Sequence, residues 1–77
     1  MRRTDDKISR AILKILLEAK SPLETKEIEL VLKNVTRTKL LYRLNLLRGD
    51  QLIRGKAIGS GKGTWIWWRN KVFENNG

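Results

Sequence analysis

Five residues, Gly59-Ser60-Gly61-Lys62-Gly63, split the last third of the chain into two short runs of strand-forming residues. Leu52-Ile53 opens the first run and Thr64-Trp65-Ile66-Trp67-Trp68 forms the second, which predicts a glycine-tipped β-hairpin. Before Gly49 the apolar residues recur instead at helical spacing. A chain that is helical first and hairpin-forming last packs its helices on a small sheet, an α+β arrangement.

The helical part divides into three. Asp5 and Asp6 supply cap acceptors and negative charge where a helix N-terminus favours them. Ile8, Ala11, Ile12, Ile15, Leu16 and Ala19 then predict a first helix near residues 6–19, stopped by Ser21-Pro22. Leu13 and Leu17 point to its other side, so this helix is apolar nearly all round. Either Val72 and Phe73 fold back over these leucines, or the four residues form a dimer or other interaction surface.

Leu23 leads into a second helix, roughly Glu24–Lys33, with Ile28, Val31 and Leu32 as its buried stripe. Its start is open between a Ser21 cap followed by Pro22 and a later start near Glu24 or Thr25. Asn34, in the left-handed conformation, is expected to end it. Thr36 is suited to cap a third helix, about residues 36–48, whose Leu40, Leu44 and Leu47 face inward. Thr38, Lys39, Tyr42, Asn45 and Leu46 lie on its other side, with Arg37 and Arg43 at the flanks.

At 77 residues the chain fits one domain, 1–77, with its core over about 6–69 and a short tail at 70–77. Such a chain buries only about 60 % of its unfolded surface, and with no cysteine it has no disulfide to supplement the core. With no histidine either, neither a metal site nor any other cofactor is indicated. Apolar runs of only a few residues fall far short of the roughly 20 that span a bilayer, so a soluble, cytoplasmic protein without a membrane partner is expected.

Charge separates the halves. Residues 1–35 carry 8 Lys/Arg against 6 Asp/Glu, whereas residues 36–77 carry 9 against 2, so +7 of the net +9 lies on the third helix and the hairpin. The helix candidates mix acids and bases on their polar faces, unlike a membrane-surface helix. A groove-sized helix beside a cationic hairpin is instead suited to a polyanion.

Three helices followed by a hairpin, with a turn between the second and third, resemble the winged helix-turn-helix superfamily. The residues that carry the resemblance are Glu27-Ile28 and Leu32, then Val35-Thr36-Arg37-Thr38-Lys39-Leu40, then Leu44, Leu47 and Leu52-Ile53 before the wing. Two features depart from the usual pattern. The turn Leu32-Lys33-Asn34-Val35-Thr36 has one extra residue and no glycine, and Gln51 stands where glycine usually precedes the strand.

The resemblance implies a double-stranded DNA-binding regulator of transcription, of the small kind found in prokaryotes, archaea and their viruses, acting as a homodimer. The lack of Cys and His alongside abundant Lys, Arg, Ile and Leu is compatible with a thermophile. In such proteins the third helix enters the major groove, which nominates Arg37, Thr38, Lys39, Tyr42 and Arg43. An arginine there has the fork to engage guanine O6 and N7, whereas Lys39 suits a phosphate. In the wing at 54–64, Arg54, Lys56 and Lys62 are expected on the backbone or minor groove, giving affinity rather than sequence reading.

Three other readings need weighing. Gly-Ser-Gly-Lys-Gly-Thr is not a phosphate-binding P-loop, because Lys56 occupies the required first glycine position, Gly63 replaces the Ser/Thr, and an aromatic strand follows. Trp65, Trp67 and Trp68 are core material first, although stacking on single-stranded DNA or RNA is an alternative. The other alternative is a protein-interaction module within a larger complex. Carboxylates lie where capping and ion pairing account for them, so no enzyme and no small-molecule ligand are predicted.

Overall fold

A computed structural model of the chain describes residues 6–59 and 63–71. In chain order it comprises α1 (Lys7–Glu18), β1 (Leu23–Glu24), α2 (Thr25–Val31), α3 (Arg37–Gly49), β2 (Ile53–Ile58) and β3 (Thr64–Arg69). The architecture is α+β, three helices on an antiparallel sheet of order β1-β3-β2, and the wing is the β2–β3 hairpin.

Local chemistry sets the helix starts. Asp6 caps α1, its Oδ1 accepting the Ser9 N–H at 3.3 Å. The later of the two possible starts applies to α2, where Glu24 and Glu27 form a reciprocal capping box and Glu27 Oε1 accepts the Glu24 N–H at 2.8 Å. Thr36 caps α3 as expected, its Oγ1 accepting the Lys39 N–H at 3.2 Å.

Two expectations for α2 are corrected. Val31 is 61 % exposed, because a helix beginning at Thr25 turns Thr25, Ile28 and then Leu32 inward and leaves Val31 outside that stripe. Asn34 is not left-handed, since Gln51 is the sole non-glycine residue with positive φ among the described residues. The chain leaves α2 through the Leu32 N–H on the Ile28 carbonyl and a tight turn, in which the Val35 N–H donates to the Leu32 carbonyl at 3.2 Å. That turn absorbs the extra residue and needs no glycine.

Gln51, with φ 65°, takes the left-handed position that usually belongs to glycine. Its N–H donates to the Arg48 carbonyl and the Leu52 N–H to the Leu47 carbonyl, both at 3.0 Å, the paired bonds of a Schellman end. Asn70 reinforces this corner: its Nδ2 donates to the Gln51 carbonyl at 2.8 Å and its N–H to the Leu52 carbonyl at 3.2 Å. A left-handed L-residue costs about 1–2 kcal/mol, partly offset by the greater chain entropy of glycine. Gln51→Gly is therefore expected to raise stability by about 0.5–1 kcal/mol in urea unfolding, and a lower midpoint would show that the side chain contributes here.

The core joins Ile12 and Leu16 of α1, Ile28 of α2, Leu40, Leu44 and Leu47 of α3, Ile53 of β2 and Trp67 of β3. Leu13, expected on the far side of α1, is instead partly buried against this cluster. The sheet register pairs Gly55 with Trp67 and Leu23 with Trp67, so the central tryptophan is flanked on both sides. Its Nε1–H donates to Thr25 Oγ1 at 2.9 Å, and its ring stacks on Trp65 with centroids 5.4 Å apart. The third strand, β1, adds an edge to the expected hairpin and ties the wing to the start of α2.

Candidate nucleic-acid interface

Leu40, Leu44 and Leu47 bury one stripe of α3 completely, which rotates Thr38, Lys39, Tyr42 and Asn45 to the exposed side. Tyr42 is 61 % exposed at the middle of that face. Asn45 is partly used internally, its Nδ2 donating to the Leu41 carbonyl at 2.9 Å. Arg37 and Arg43 lie on opposite flanks, Arg37 toward α2 and Arg43 toward the N-terminus of α1.

Each arginine meets a carboxylate. Arg37 Nη1 donates to Glu29 Oε1 at 3.0 Å, in a pair that is largely solvated and so adds little to stability. Arg43 Nε lies 3.4 Å from Asp6 Oδ2, and its guanidinium carbon lies 5.6 Å from the centre of the Tyr42 ring. Burial is the largest single influence on the Asp6 carboxyl and pushes its pKa up. The Ser9 hydrogen bonds and the Arg43 charge together outweigh it and hold the carboxyl below its usual range. A lowered folded pKa means that this stabilisation is complete above the unfolded value and is lost as pH falls through the folded one.

The wing cations are placed differently. Arg54 pairs in register with Trp68 and Lys56 with Ile66, on the sheet face opposite Trp65 and Trp67. Both are exposed, but they point away from the face on which α3 packs. The structure thus gathers the five helix residues on one rod and leaves Arg54 and Lys56 on the far side of the hairpin. Lys62, like Val72 and Phe73, lies outside the described residues. Leu17 is 59 % exposed, and Leu13, one turn earlier on α1, is partly buried against the core.

Two cations absent from the expected set lie where α3 meets the wing. Arg48 is exposed, with its guanidinium carbon 5.1 Å from the Trp65 ring centre, which links the end of α3 to the wing. Lys26 helps to line a cleft of about 510 Å³ between α2, α3 and the wing, together with Arg37, Leu41, Thr64 and Trp65. The spacing Arg37, Leu41, Arg48 marks this flank in the sequence, since these positions fall on one side of a helix facing the hairpin.

No described helix is long and apolar enough to cross a membrane. Among the described residues, no group of three or more His, Cys, Asp or Glu is placed to hold a metal.

No protein-family model matches the sequence, and no curated protein matches it. The fold is similar to two solved structures of YodB from B. subtilis. The diamide-treated form aligns with a TM-score of 0.73 at 15 % identity, over 94 % of this chain and 72 % of that one. The reduced form, described as a transcriptional regulator, aligns with a TM-score of 0.70 at 17 % identity, over 92 % and 74 %. This likeness establishes the winged-helix fold. The present chain contains no cysteine and so has no thiol to reduce or oxidise.

Proposed function

We propose that this chain is a double-stranded DNA-binding regulator of transcription, without enzymatic activity, whose α3 enters the major groove. The observation that carries this reading is the open outer side of α3, where Thr38, Lys39 and Tyr42 are exposed between two arginines. The winged-helix fold shared with a transcriptional regulator supports it. In this reading Arg37 and Arg43 contact base edges, and Thr38, Lys39 and Tyr42 contact backbone or thymine methyls. Arg54, Lys56 and Lys62 follow the adjacent backbone, residues 6–69 act as one unit, and no cofactor is required.

Counterion release supplies the test. If about six phosphates are neutralised, affinity for a duplex falls about 10³-fold between 50 and 200 mM salt. A titration followed by fluorescence anisotropy measures this directly. Flat binding over that range, or no binding to any duplex, would overturn the proposal.

A second reading is favoured by one observation. Leu30 and Val31 on α2 and Leu17 on α1 are exposed apolar side chains. They support an interaction with protein, including a second copy of the chain as a homodimer, which the two-fold symmetry of many operators would accommodate. Sedimentation across a concentration series separates monomer from dimer. Stacking on single strands is less well supported, since Trp67 is 1 % exposed and committed to the core.

A further inference from the structure

The two arginines flanking α3 are held at different atoms. Glu29 engages a terminal nitrogen, Nη1, of Arg37. Asp6 Oδ2 approaches Arg43 at Nε, 3.4 Å away, as an ion pair rather than a hydrogen bond, and among the described contacts neither terminal nitrogen of Arg43 is hydrogen-bonded. An arginine that reads guanine offers two donors from one edge of its planar fork. A hold through Nε leaves the Nη1/Nη2 edge whole.

The hold is itself anchored. Asp6 cannot rotate freely, because its Oδ1 caps α1 through the Ser9 N–H while Oδ2 faces Arg43. The guanidinium carbon of Arg43 also lies over the Tyr42 ring, 5.6 Å from its centre. Arg43 is the less exposed of the two, with 28 % side-chain exposure against 57 % for Arg37. A guanidinium restrained in this way loses less freedom on docking than one moving in solvent.

We propose that Asp6 is a positioning residue for sequence reading, presenting the terminal edge of Arg43 to a base pair in the groove. The carboxylate works in two directions. It aims the arginine, which favours the matched duplex, and its charge disfavours any phosphate nearby, which weakens unmatched binding. The inference rests on the DNA-binding reading above and assigns selectivity within that site to the α1 cap.

The experiment uses the full chain and two probes: a duplex enriched from a random-core library by the wild-type protein, and a scrambled duplex of the same length and base composition. Asp6→Asn keeps a capping acceptor but removes the charge. It is expected to lower the ratio of matched to scrambled affinity about 5- to 10-fold, the scrambled duplex binding as well as before or better. In an Arg43→Ala background the same substitution is expected to leave the ratio unchanged, because its only route to the base has been removed.

A ratio within about two-fold of wild type for Asp6→Asn overturns the proposal, as does an equal fall in the Arg43→Ala background. If Asp6→Asn does not fold, Asp6→Ser offers a second uncharged cap for the same comparison. Failure of the wild-type protein to enrich any duplex defeats the DNA reading itself, and this proposal with it. Enrichment by wild type with an unaltered Asp6→Asn ratio defeats the proposal alone.

Discussion

Trp67→Ala is expected to remove about half of the stability of the chain. Replacing a buried tryptophan by alanine costs about 3–5 kcal/mol, and a chain of this size has a total stability of roughly 4–11 kcal/mol. Trp67 combines near-complete burial with the bond to Thr25 and the stack on Trp65, so its loss opens a cavity and strands a buried hydroxyl. Gly55→Ala tests the same contact from the other side. A Cβ at position 55 would lie 2.6 and 2.8 Å from two Trp67 ring carbons and 3.2 Å from the Ile66 carbonyl oxygen. The ring is pinned at Thr25 and cannot swing away, so a cost at the upper end of the usual 1–3 kcal/mol for overpacking is expected. Thermal unfolding followed by far- and near-ultraviolet circular dichroism measures both. A Gly55→Ala protein melting with the wild type would mean that the ring has room to shift.

The second large effect concerns binding rather than stability. Arg37→Ala combined with Arg43→Ala is expected to reduce discrimination between matched and scrambled duplexes about 100-fold or more, each arginine contributing about 1–3 kcal/mol. The protein should remain folded, because the Arg37 pair is largely solvated and contributes about 0–1 kcal/mol, and the Arg43 pair lies outside the apolar core. Residual binding should stay salt-dependent, carried by Lys39 and the wing. Competition binding with the two duplexes reads the ratio, and a melting curve on the same sample reads the fold. Retained discrimination would remove both arginines from the reading surface.

Much of this fold was legible in the residues, and the misses have physical causes. The inward leucines of α3 repeat at spacings that only a helix satisfies, and Thr36 and Asp6 are caps by side-chain chemistry alone. The strand β1 was not legible: two residues carry no period, and their pairing with Ile66 and Trp67 is a tertiary fact. Val31 was misplaced because a seven-residue helix is too short for its pattern to fix its rotation. The candidate site divides similarly. Its exposed helix residues follow from the core stripe, whereas the partners of Arg37 and Arg43 come from two other helices and depend on how these pack. Arg48 was missed because its relation to Trp65 exists only once the hairpin turns back along α3.

The order of the sheet has a consequence for the behaviour of the protein in concentrated solution. With β3 in the middle, β2 is an outermost strand, and among the described residues no strand pairs with its outer side, a backbone edge that an extended peptide can extend. Arg54 and Lys56 stand along that strand at alternate positions, and two such strands brought together confront like charges. The cations proposed to grip a polyanion thus also keep neighbouring molecules dispersed, and neutralising them would trade weaker nucleic-acid affinity for a greater tendency to aggregate through strand pairing.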